Sequence, residues 1–217
     1  GAALRINKAT LNNAIQSIVD QTFTDWELII VDDGSDDKEL DFHVKSFDDP
    51  RIKVFRTEHE GLVHARNYGN EKAEGRYIIA QDSDDRSLPD RLEKLFNHAE
   101  YHGCDIVVSN LYVNIWNDAR ECVSCEYVKA EKPSKKKILK SQYLNGVPLY
   151  RKSIWEKRPF RYETQFCYDW MMWLDWIYSG FDIGVLDEGL YEYAIQEDSV
   201  SIRFRNDGSR DKSIEAI

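Results

Sequence analysis

Hydrophobic positions in the first half of the chain alternate between helical spacing and short continuous runs. Apolar residues recur at helical spacing over residues 10–20, and they form an almost uninterrupted run over residues 26–31. The first pattern predicts an amphipathic helix, and the second predicts a buried strand. The alternation continues to residue 111, with helices expected near 37–47, 62–73 and 89–102 and strands expected at 52–56, 77–80 and 105–111.

This order of elements indicates an α/β fold. Strands that alternate with helices predict a mostly parallel sheet with helices on both faces. In such a sheet, ligands bind beyond the carboxyl ends of the strands. Two acidic turns follow buried strands, Asp32-Asp33-Gly34-Ser35 and Asp82-Ser83-Asp84-Asp85. The sequence therefore predicts that both turns lie on one rim of the sheet.

The second half of the chain has a weaker pattern. Residues 112–130 are expected to be extended or in loops, residues 146–151 to form a strand, and residues 169–179 to form a helix whose tryptophans pack in the core. The lysine-rich run 130–140 is interpreted as a solvated face, with a loop that attracts an anionic ligand as the alternative. The polar segment after residue 198 is expected to be a tail.

Composition limits the classes of function. The 217 residues carry a formal net charge of -10, with 42% hydrophobic and 31% charged residues, as in an ordinary soluble globular protein. The acidic balance disfavours non-specific binding to nucleic acid or anionic membranes, but not to a phosphate bridged by a metal ion. No apolar run is long enough to span a bilayer. A cytoplasmic protein is expected, with peripheral association at the inner face of a membrane left open.

The cysteine spacing does not indicate a metal or redox site. Cys122 and Cys125 form the only close pair, and no second Cys or His pair follows at zinc-site spacing. Reduced thiols in a cytosolic protein are therefore expected.

The acidic turns have the chemistry of a divalent-cation site. The three carboxylates of Asp82, Asp84 and Asp85 repel one another, which is costly unless a cation compensates. Mg²⁺ and Mn²⁺ prefer oxygen ligands, and a nucleoside diphosphate can supply the remaining ones. Asp32 and Asp33 offer acceptors for a nucleobase N–H or ribose hydroxyls. Neither G-x-G-x-x-G nor G-x-x-x-x-G-K-[ST] is present, so metal and carboxylates would have to hold the phosphates.

Three segments resemble the family-2 glycosyltransferases, which have the GT-A fold. Residues 28–35 resemble the first nucleotide-binding segment of that family, residues 61–69 its G-x-x-x-A-R-N-x-G segment, and residues 75–92 its metal-binding loop and following helix. The resemblance covers residues 7–110 most closely. It implies a Rossmann-like, mostly parallel central sheet with helices on both faces and a smaller, mixed C-terminal acceptor region.

The resemblance also implies roles for individual residues. Asp32, Asp33, Arg66 and Asp82 are expected to bind the nucleotide, and Asp84 with Asp82 is expected to bind Mn²⁺ or Mg²⁺. Asp169 matches the catalytic base of the family, with Tyr168 in place of the commoner glutamate. Residues 1–110 are expected to form the nucleotide-sugar-binding half, and residues 111–217 the acceptor-binding half of the same domain.

Other segments match the family less closely. Residues 1–6 stand where the family has a strand carrying a Pro and a Tyr-Asn pair, and Arg5 occupies a position expected to be apolar or small. Residues 147–152 are similar to the strand that lines the acceptor pocket. Residues 191–201 resemble the segment that closes near the diphosphate, but Ala194, Gln196 and Glu197 replace the basic residues often found there.

The expected activity is transfer of a sugar from a nucleoside-diphosphate donor, expected to be a UDP-sugar, to an acceptor hydroxyl, with inversion. A saccharide or lipid-linked saccharide acceptor of cell-envelope polysaccharide synthesis is expected, and no nucleic acid. One alternative is a non-catalytic nucleotide-sugar-binding homologue. A nucleotidyltransferase is another, although that class usually carries a glycine-rich basic loop near its start, which this sequence lacks.

Overall fold

The structure is a computed structural model that describes residues 8–35, 44, 46–116, 122–162 and 167–195. Residues 1–6, which stand where the family has a strand, lie outside these residues, as do most of the predicted helix near 37–47 and the polar C-terminal segment. The helices are α1 (Lys8–Val19), α2 (Leu62–Lys72), α3 (Arg91–His102), α4 (Lys135–Ile138), α5 (Lys152–Lys157) and α6 (Tyr168–Ser179). The strands are β1 (Leu28–Asp32), β2 (Ile52–Arg56), β3 (Tyr77–Ile79), β4 (Arg86–Ser87), β5 (Ile106–Trp116), β6 (Cys122–Val128), β7 (Leu149–Arg151) and β8 (Ile183–Ile195). Within these ranges, no helix has both the length and the apolar character needed to cross a membrane.

Strands β1 and β2 form a parallel pair that has a helix on each face. Leu28 and Ile30 contact the apolar cluster that contains Leu11 and Ile15 of α1. On the other face, Gly69 of α2 lies so close to β1 that an added Cβ would stand 3.4 Å from Val31 Cγ2. Because successive side chains of a strand point to opposite faces, this arrangement explains why β1 is apolar from Leu28 to Val31.

A six-stranded sheet carries the rest of the core. Its order is β3-β7-β5-β8-β4, with β6 also paired to β5. Ile106 and Val108 of β5 pack in one apolar cluster with α6, whereas Val107 packs in a second cluster with Leu95 of α3. The uninterrupted apolar run that predicted this strand therefore reflects burial on both faces.

The prediction of a mostly parallel sheet holds for only part of the structure. The pairs β1–β2 and β5–β8 are parallel, but β3–β7, β5–β7, β4–β8 and β5–β6 are antiparallel. The sheet is therefore mixed, since no helix separates β3 from β4 or β5 from β6, and strict strand–helix alternation is what enforces parallel pairing. Where strands are joined by a short connection, as β5 and β6 are, only antiparallel pairing is available.

Residues predicted to be extended or in loops form a long hairpin arm. Strand β5 continues to Trp116, and β6 pairs with it over Cys122–Val128. Every residue of β6 is exposed, so the strand lacks the alternation that would have identified it. Cys122 and Cys125 lie on this exposed strand, Cys104 and Cys167 are buried, and all four are free thiols.

Helix α6 has its tryptophans in the core, as predicted. Trp173 and Trp176 are fully buried and meet edge to face, with ring centroids 5.5 Å apart. Helix α3 begins at Arg91, two residues after the proline predicted to open it, and the lysine-rich run contains the short helix α4.

Two buried asparagines of α2 connect the first half of the chain to the second. Asn67 Nδ2 donates to the carbonyl of Phe160 at 2.8 Å, and Asn67 Oδ1 accepts from Trp155 Nε1 at 2.8 Å and from Phe160 N at 3.1 Å. One turn later, Tyr150 Oη donates to Asn70 Oδ1 at 3.1 Å. These contacts fix α2 against the segment that leads to α6.

Replacement of Asn67 by Ala should destabilise the protein by about 3 kcal/mol, because it leaves three buried polar groups without partners. The melting temperature should fall on the order of 10 °C. The matched control is Asn97→Ala, since Asn97 is exposed on α3. Equal melting temperatures for the two variants would show that the asparagine contacts do not hold the halves together.

Candidate functional site

The first acidic turn is closed by hydrogen bonds to its own carboxylates. Asp32 is buried, and its carboxylate accepts from Ser35 N and from Arg56 Nη1, both at 2.9 Å. Gly34 has a φ of 72°, and an added Cβ would stand 2.7 Å from the backbone N of His59. Glycine is therefore required at this position for both backbone conformation and space.

Asp33 connects this turn to the beginning of α2. Its Oδ1 accepts from Thr57 Oγ1 and from Glu60 N, both at 2.9 Å, and its Oδ2 accepts from Gly61 N at 2.8 Å. Gly61 is the residue that precedes α2. The carboxylate of Asp33 thus holds the helix that carries Arg66 in place.

Arg66 extends from α2 to the second acidic turn and forms an ion pair with Asp82. Burial opposes the positive charge of Arg66, but the neighbouring Tyr168 and Asp82 raise the pKa above the ordinary arginine value. One helix therefore contacts both acidic turns, Asp33 at its start and Asp82 through Arg66. The helix thus connects the two turns, although β1 and β3, the strands before them, belong to separate sheets and not to the single sheet that the sequence predicts.

The second acidic turn has one buried carboxylate and two outward residues. Asp85 is 2% exposed, whereas Ser83 and Asp84 are exposed. Asp85 Oδ1 accepts from Ala194 N at 2.8 Å, and Gln81 Nε2 donates to the carbonyls of Asp82 and Asp85 at 3.1 and 3.0 Å. These hydrogen bonds fix the turn on its buried side, and the side chain of Asp84 lies on its exposed side.

Burial raises the pKa of Asp85 to about 8, and the nearby charges of Asp82 and Asp84 act in the same direction. The second carboxylate oxygen, Oδ2, is buried and has no hydrogen-bond partner among the described residues. A cation or a proton at this turn would relieve the charge repulsion.

Tyr191 and Arg91 support the second turn from β8 and α3. The Tyr191 hydroxyl accepts from Asp82 N at 3.2 Å, and the guanidinium carbon of Arg91 lies 4.2 Å from the centre of the Tyr191 ring. Arg91 is fully buried, and burial lowers its pKa to about 10. Sequence reasoning did not assign these two residues to the site, although both lie within or beside segments that resemble the family.

Asp169 lies in the first turn of α6. Its carboxylate accepts from Gln142 Nε2 and, at 2.9 Å, from the backbone N of Trp170. Gly146 leaves room beside it, since an added Cβ would stand 3.4 Å from Asp169 Oδ2. Burial raises the pKa of Asp169, although both hydrogen bonds act to lower it.

Electrostatics connects Asp169 with the second acidic turn. The charge of Asp82 contributes to raising the pKa of Asp169. Burial raises the pKa of Tyr168 to about 12, while the adjacent Arg66 acts to lower it. Arg66, Asp82, Tyr168 and Asp169 therefore interact within one site, which is built from both halves of the chain.

The protein offers few ligands for a metal ion by itself. In the described ranges, no group of three or more His, Cys, Asp or Glu side chains is arranged to hold one. The oxygen donors of Asp82, Asp84 and Asp85 suit Mg²⁺ or Mn²⁺ chemically. These residues fit an ion that is shared with a bound ligand, and do not fit a site made of protein ligands alone.

The family described as Glycosyl transferase family 2 matches residues 5–171, and the chain belongs to it. The chain is 29% identical over 197 residues to an Escherichia coli protein named UDP-Glc:alpha-D-GlcNAc-diphosphoundecaprenol beta-1,3-glucosyltransferase WfgD, covering 88% of this chain and 74% of that protein. The first curated relatives are 41% and 38% identical over 108 and 109 residues. Those matches span only 43% and 29% of the relatives' own lengths.

Solved structures share the fold. S. aureus TarS in complex with UDP superposes with a TM-score of 0.66 at 20% identity, covering 88% of this chain and 58% of that one. GalNAc-T7 with UDP, GalNAc and Mn²⁺ gives the same TM-score at 17% identity, covering 88% of this chain and 43% of that one. The α/β class and the GT-A fold predicted from the sequence are thus confirmed.

The raised pKa of Asp85 predicts a dependence of stability on pH. Because the folded-state pKa of about 8 exceeds the ordinary aspartate pKa of 3.8, the folded state of Asp85 holds a proton that the unfolded state releases. Raising the pH from about 4 to about 8 should therefore remove stability from the wild type, while Asp85→Asn should lack this contribution.

Melting temperatures measured across this pH window with a chelator present test the prediction. Asp90→Asn serves as the control, because Asp90 is partly exposed and pairs with Lys94 at 2.6 Å. If wild type and Asp85→Asn changed in parallel with pH, Asp85 would not be the titrating group.

Proposed function

We propose that this chain is the catalytic domain of an inverting glycosyltransferase that moves a sugar from a UDP-sugar to an acceptor hydroxyl. The observation that carries the proposal is the convergence of Arg66, Asp82 and Asp169 in one site. Family membership supports sugar transfer. The UDP in the name of the TarS complex supports a donor whose nucleobase is uracil.

Asp169 is proposed to act as the general base. A carboxylate that removes the proton from an acceptor hydroxyl allows the oxygen to attack the anomeric carbon from the face opposite the leaving group. The raised pKa makes Asp169 a stronger proton acceptor than an ordinary aspartate. Gln142 and the Trp170 N–H orient its carboxylate, and Gly146 keeps the space beside it open.

The two acidic turns are proposed to hold the donor. Asp33 Oδ2 can still accept a hydrogen bond from the nucleoside, since among the described residues it accepts one hydrogen bond, from Gly61 N. Asp32 is occupied by Ser35 and Arg56, so its contribution is to fix the shape of the turn. Arg66 brings positive charge next to Asp82, where the diphosphate is expected.

A divalent cation, Mn²⁺ or Mg²⁺, would be held by Asp84 with Asp82 and would supply positive charge against the diphosphate of the leaving group. The Mn²⁺ in the name of the GalNAc-T7 structure supports this choice of ion. The exposed position of Asp84 and the shortage of protein ligands suit an ion shared with the donor.

The acceptor is proposed to be a saccharide, free or lipid-linked, that enters from the side of residues 111–217. The segment before strand β7 supplies the wall next to Asp169, since Gln142 donates to its carboxylate and Gly146 lies beside it. The name of WfgD includes a diphosphoundecaprenol-linked sugar, which supports a lipid-linked acceptor and peripheral membrane association.

Replacement of Asp169 by Asn should reduce kcat by about 10²- to 10⁴-fold, the usual contribution of a general base. Donor binding should be retained, because Asp169 has no proposed contact with the donor. The control is Asp175→Asn on the same helix, where the aspartate pairs with Arg161 at 2.8 Å. Turnover and donor affinity measured for both variants test whether Asp169 is the general base. Undiminished turnover in Asp169→Asn would remove this residue from the mechanism.

Replacement of Asp84 by Ala should abolish the metal-dependent part of donor binding. The measurement is the melting temperature with UDP and with UDP-sugars, in the presence and absence of Mn²⁺, since a ligand bound to the native state raises it. Asp25→Ala, an exposed carboxylate outside the site, is the control. An equal Mn²⁺-dependent shift in Asp84→Ala and wild type would contradict the assignment. Metal-dependent UDP binding by the wild type without turnover of any donor would instead indicate a non-catalytic homologue.

A further inference from the structure

A lysine-rich surface segment next to α6, the helix that carries Asp169, has no part in the proposed chemistry. Six lysines lie within residues 129–140, in a chain whose formal net charge is -10. Only one carboxylate, Glu131, accompanies them in this segment. The charge is therefore distributed unevenly, and this segment has the opposite sign to the whole molecule.

Most of this positive charge is not neutralised by the described part of the protein. Lys129 pairs with Asp187 at 3.5 Å, and Lys137 pairs with Glu131. The other four lysines are exposed and have no ion pair with any described residue: Lys132, Lys135, Lys136 and Lys140. Because charges are screened beyond about 10 Å at 0.1 M salt, acidic groups farther away than that weaken the field of these four lysines little.

Exposed apolar side chains lie among these lysines. Leu139 is 61% exposed and Tyr178 is 50% exposed. The Tyr178 hydroxyl donates to the carbonyl of Lys135 at 3.4 Å, and Lys135 Nζ lies 5.4 Å from the centre of the Tyr178 ring. We define the basic ridge as the four lysines with Leu139 and Tyr178. A surface of this composition, basic with apolar and aromatic side chains, suits the boundary between anionic headgroups and acyl chains.

The ridge is fixed to the helix that carries Asp169. Ile138 is fully buried in the core, and its carbonyl accepts from Trp170 Nε1 at 2.7 Å. Ser134 caps the short helix by accepting from Lys137 N at 3.3 Å. Gln142, two residues beyond the ridge, donates to Asp169. A surface bound to the ridge would therefore be held near the proposed base.

We propose that the basic ridge docks the protein on an anionic lipid bilayer and thereby presents Asp169 to an acceptor at the bilayer surface. Charge complementarity selects this partner, since clusters of four to eight lysines or arginines bind anionic lipid. The inference rests on the proposed function only for the identity of the acceptor; docking itself requires neither donor nor metal.

Vesicle sedimentation tests docking directly. Wild-type protein should co-sediment with phosphatidylcholine vesicles that contain phosphatidylglycerol, and not with pure phosphatidylcholine vesicles. The variant Lys135→Gln, Lys136→Gln, Lys140→Gln should bind on the order of a hundredfold more weakly, at roughly fivefold per lysine. The charge-matched control is Arg76→Gln, Lys157→Gln, Arg158→Gln, which removes three exposed positive charges elsewhere.

A second pair of variants tests the apolar contribution. Leu139→Ser should weaken vesicle binding several-fold, while Val123→Ser, at a side chain that is 60% exposed on β6, should not. These single changes at exposed positions leave the core intact, so a fold defect does not confuse the outcome.

The proposal is overturned if the wild-type protein does not co-sediment with anionic vesicles. It is equally overturned if the ridge and control triple variants lose the same affinity for these vesicles. It is also overturned if inorganic pyrophosphate at constant ionic strength displaces the vesicles, which would assign the lysines to a discrete diphosphate. Failure of the proposed function would appear separately, as absence of Mn²⁺-dependent UDP binding in the wild type.

Discussion

The ion pair between Arg66 and Asp82 is the interaction on which the arrangement of this site depends. A largely buried guanidinium group is costly unless a carboxylate compensates for it, and removal of either partner leaves an uncompensated charge. This constraint fixes α2 relative to the second acidic turn. Since Asp33 holds the beginning of the same helix, one helix sets the separation between the two turns. Tyr168 and Asp169 then pack next to a charge pair that is already in place.

The two halves of the chain are consequently not independent units. The predicted division after residue 110 falls within β5, which runs from Ile106 to Trp116. Asn67 and Asn70 join α2 to residues of the second half. The base on α6 and the acidic turn after β3 therefore belong to one packed body, and the geometry between them depends on the shared core.

The parts of the fold that local patterns specify were predictable from the sequence. Strands β1 and β5 pack apolar side chains on both faces, so apolar runs revealed them. Strand β6 was not predicted as a strand, because all of its residues are exposed and, among the described strands, it pairs with β5 alone. The pairing directions were also beyond local inference, since they depend on how distant segments of the chain meet.

The same distinction applies to the candidate site. Asp32, Asp33, Asp82 and Asp84 were predicted from the two acidic motifs, and Arg66 and Asp169 from the resemblance to the family. Gln142, Arg91 and Tyr191 contribute through contacts far apart in the sequence, such as Asp82 with Tyr191, 109 positions away. Nothing in the immediate surroundings of Tyr191 indicates that its hydroxyl meets an acidic turn.

Strand β8 contributes to both the core and the site. This double role restricts which insertions and deletions the strand can accept during evolution. Ile183 pairs with Ile106 in the interior, whereas Ala194 pairs with Asn114 and donates its N–H to Asp85. Strand β8 has three more residues than β5 over this pairing, two between the partners of Ser109 and Asn110 and one between the partners of Asn110 and Leu111. Asn110 Nδ2 donates to Asp187, one of the extra residues, at 2.8 Å. A further insertion or deletion between these ends would turn Tyr191 to the other face. Natural length variation should therefore be rare within β8.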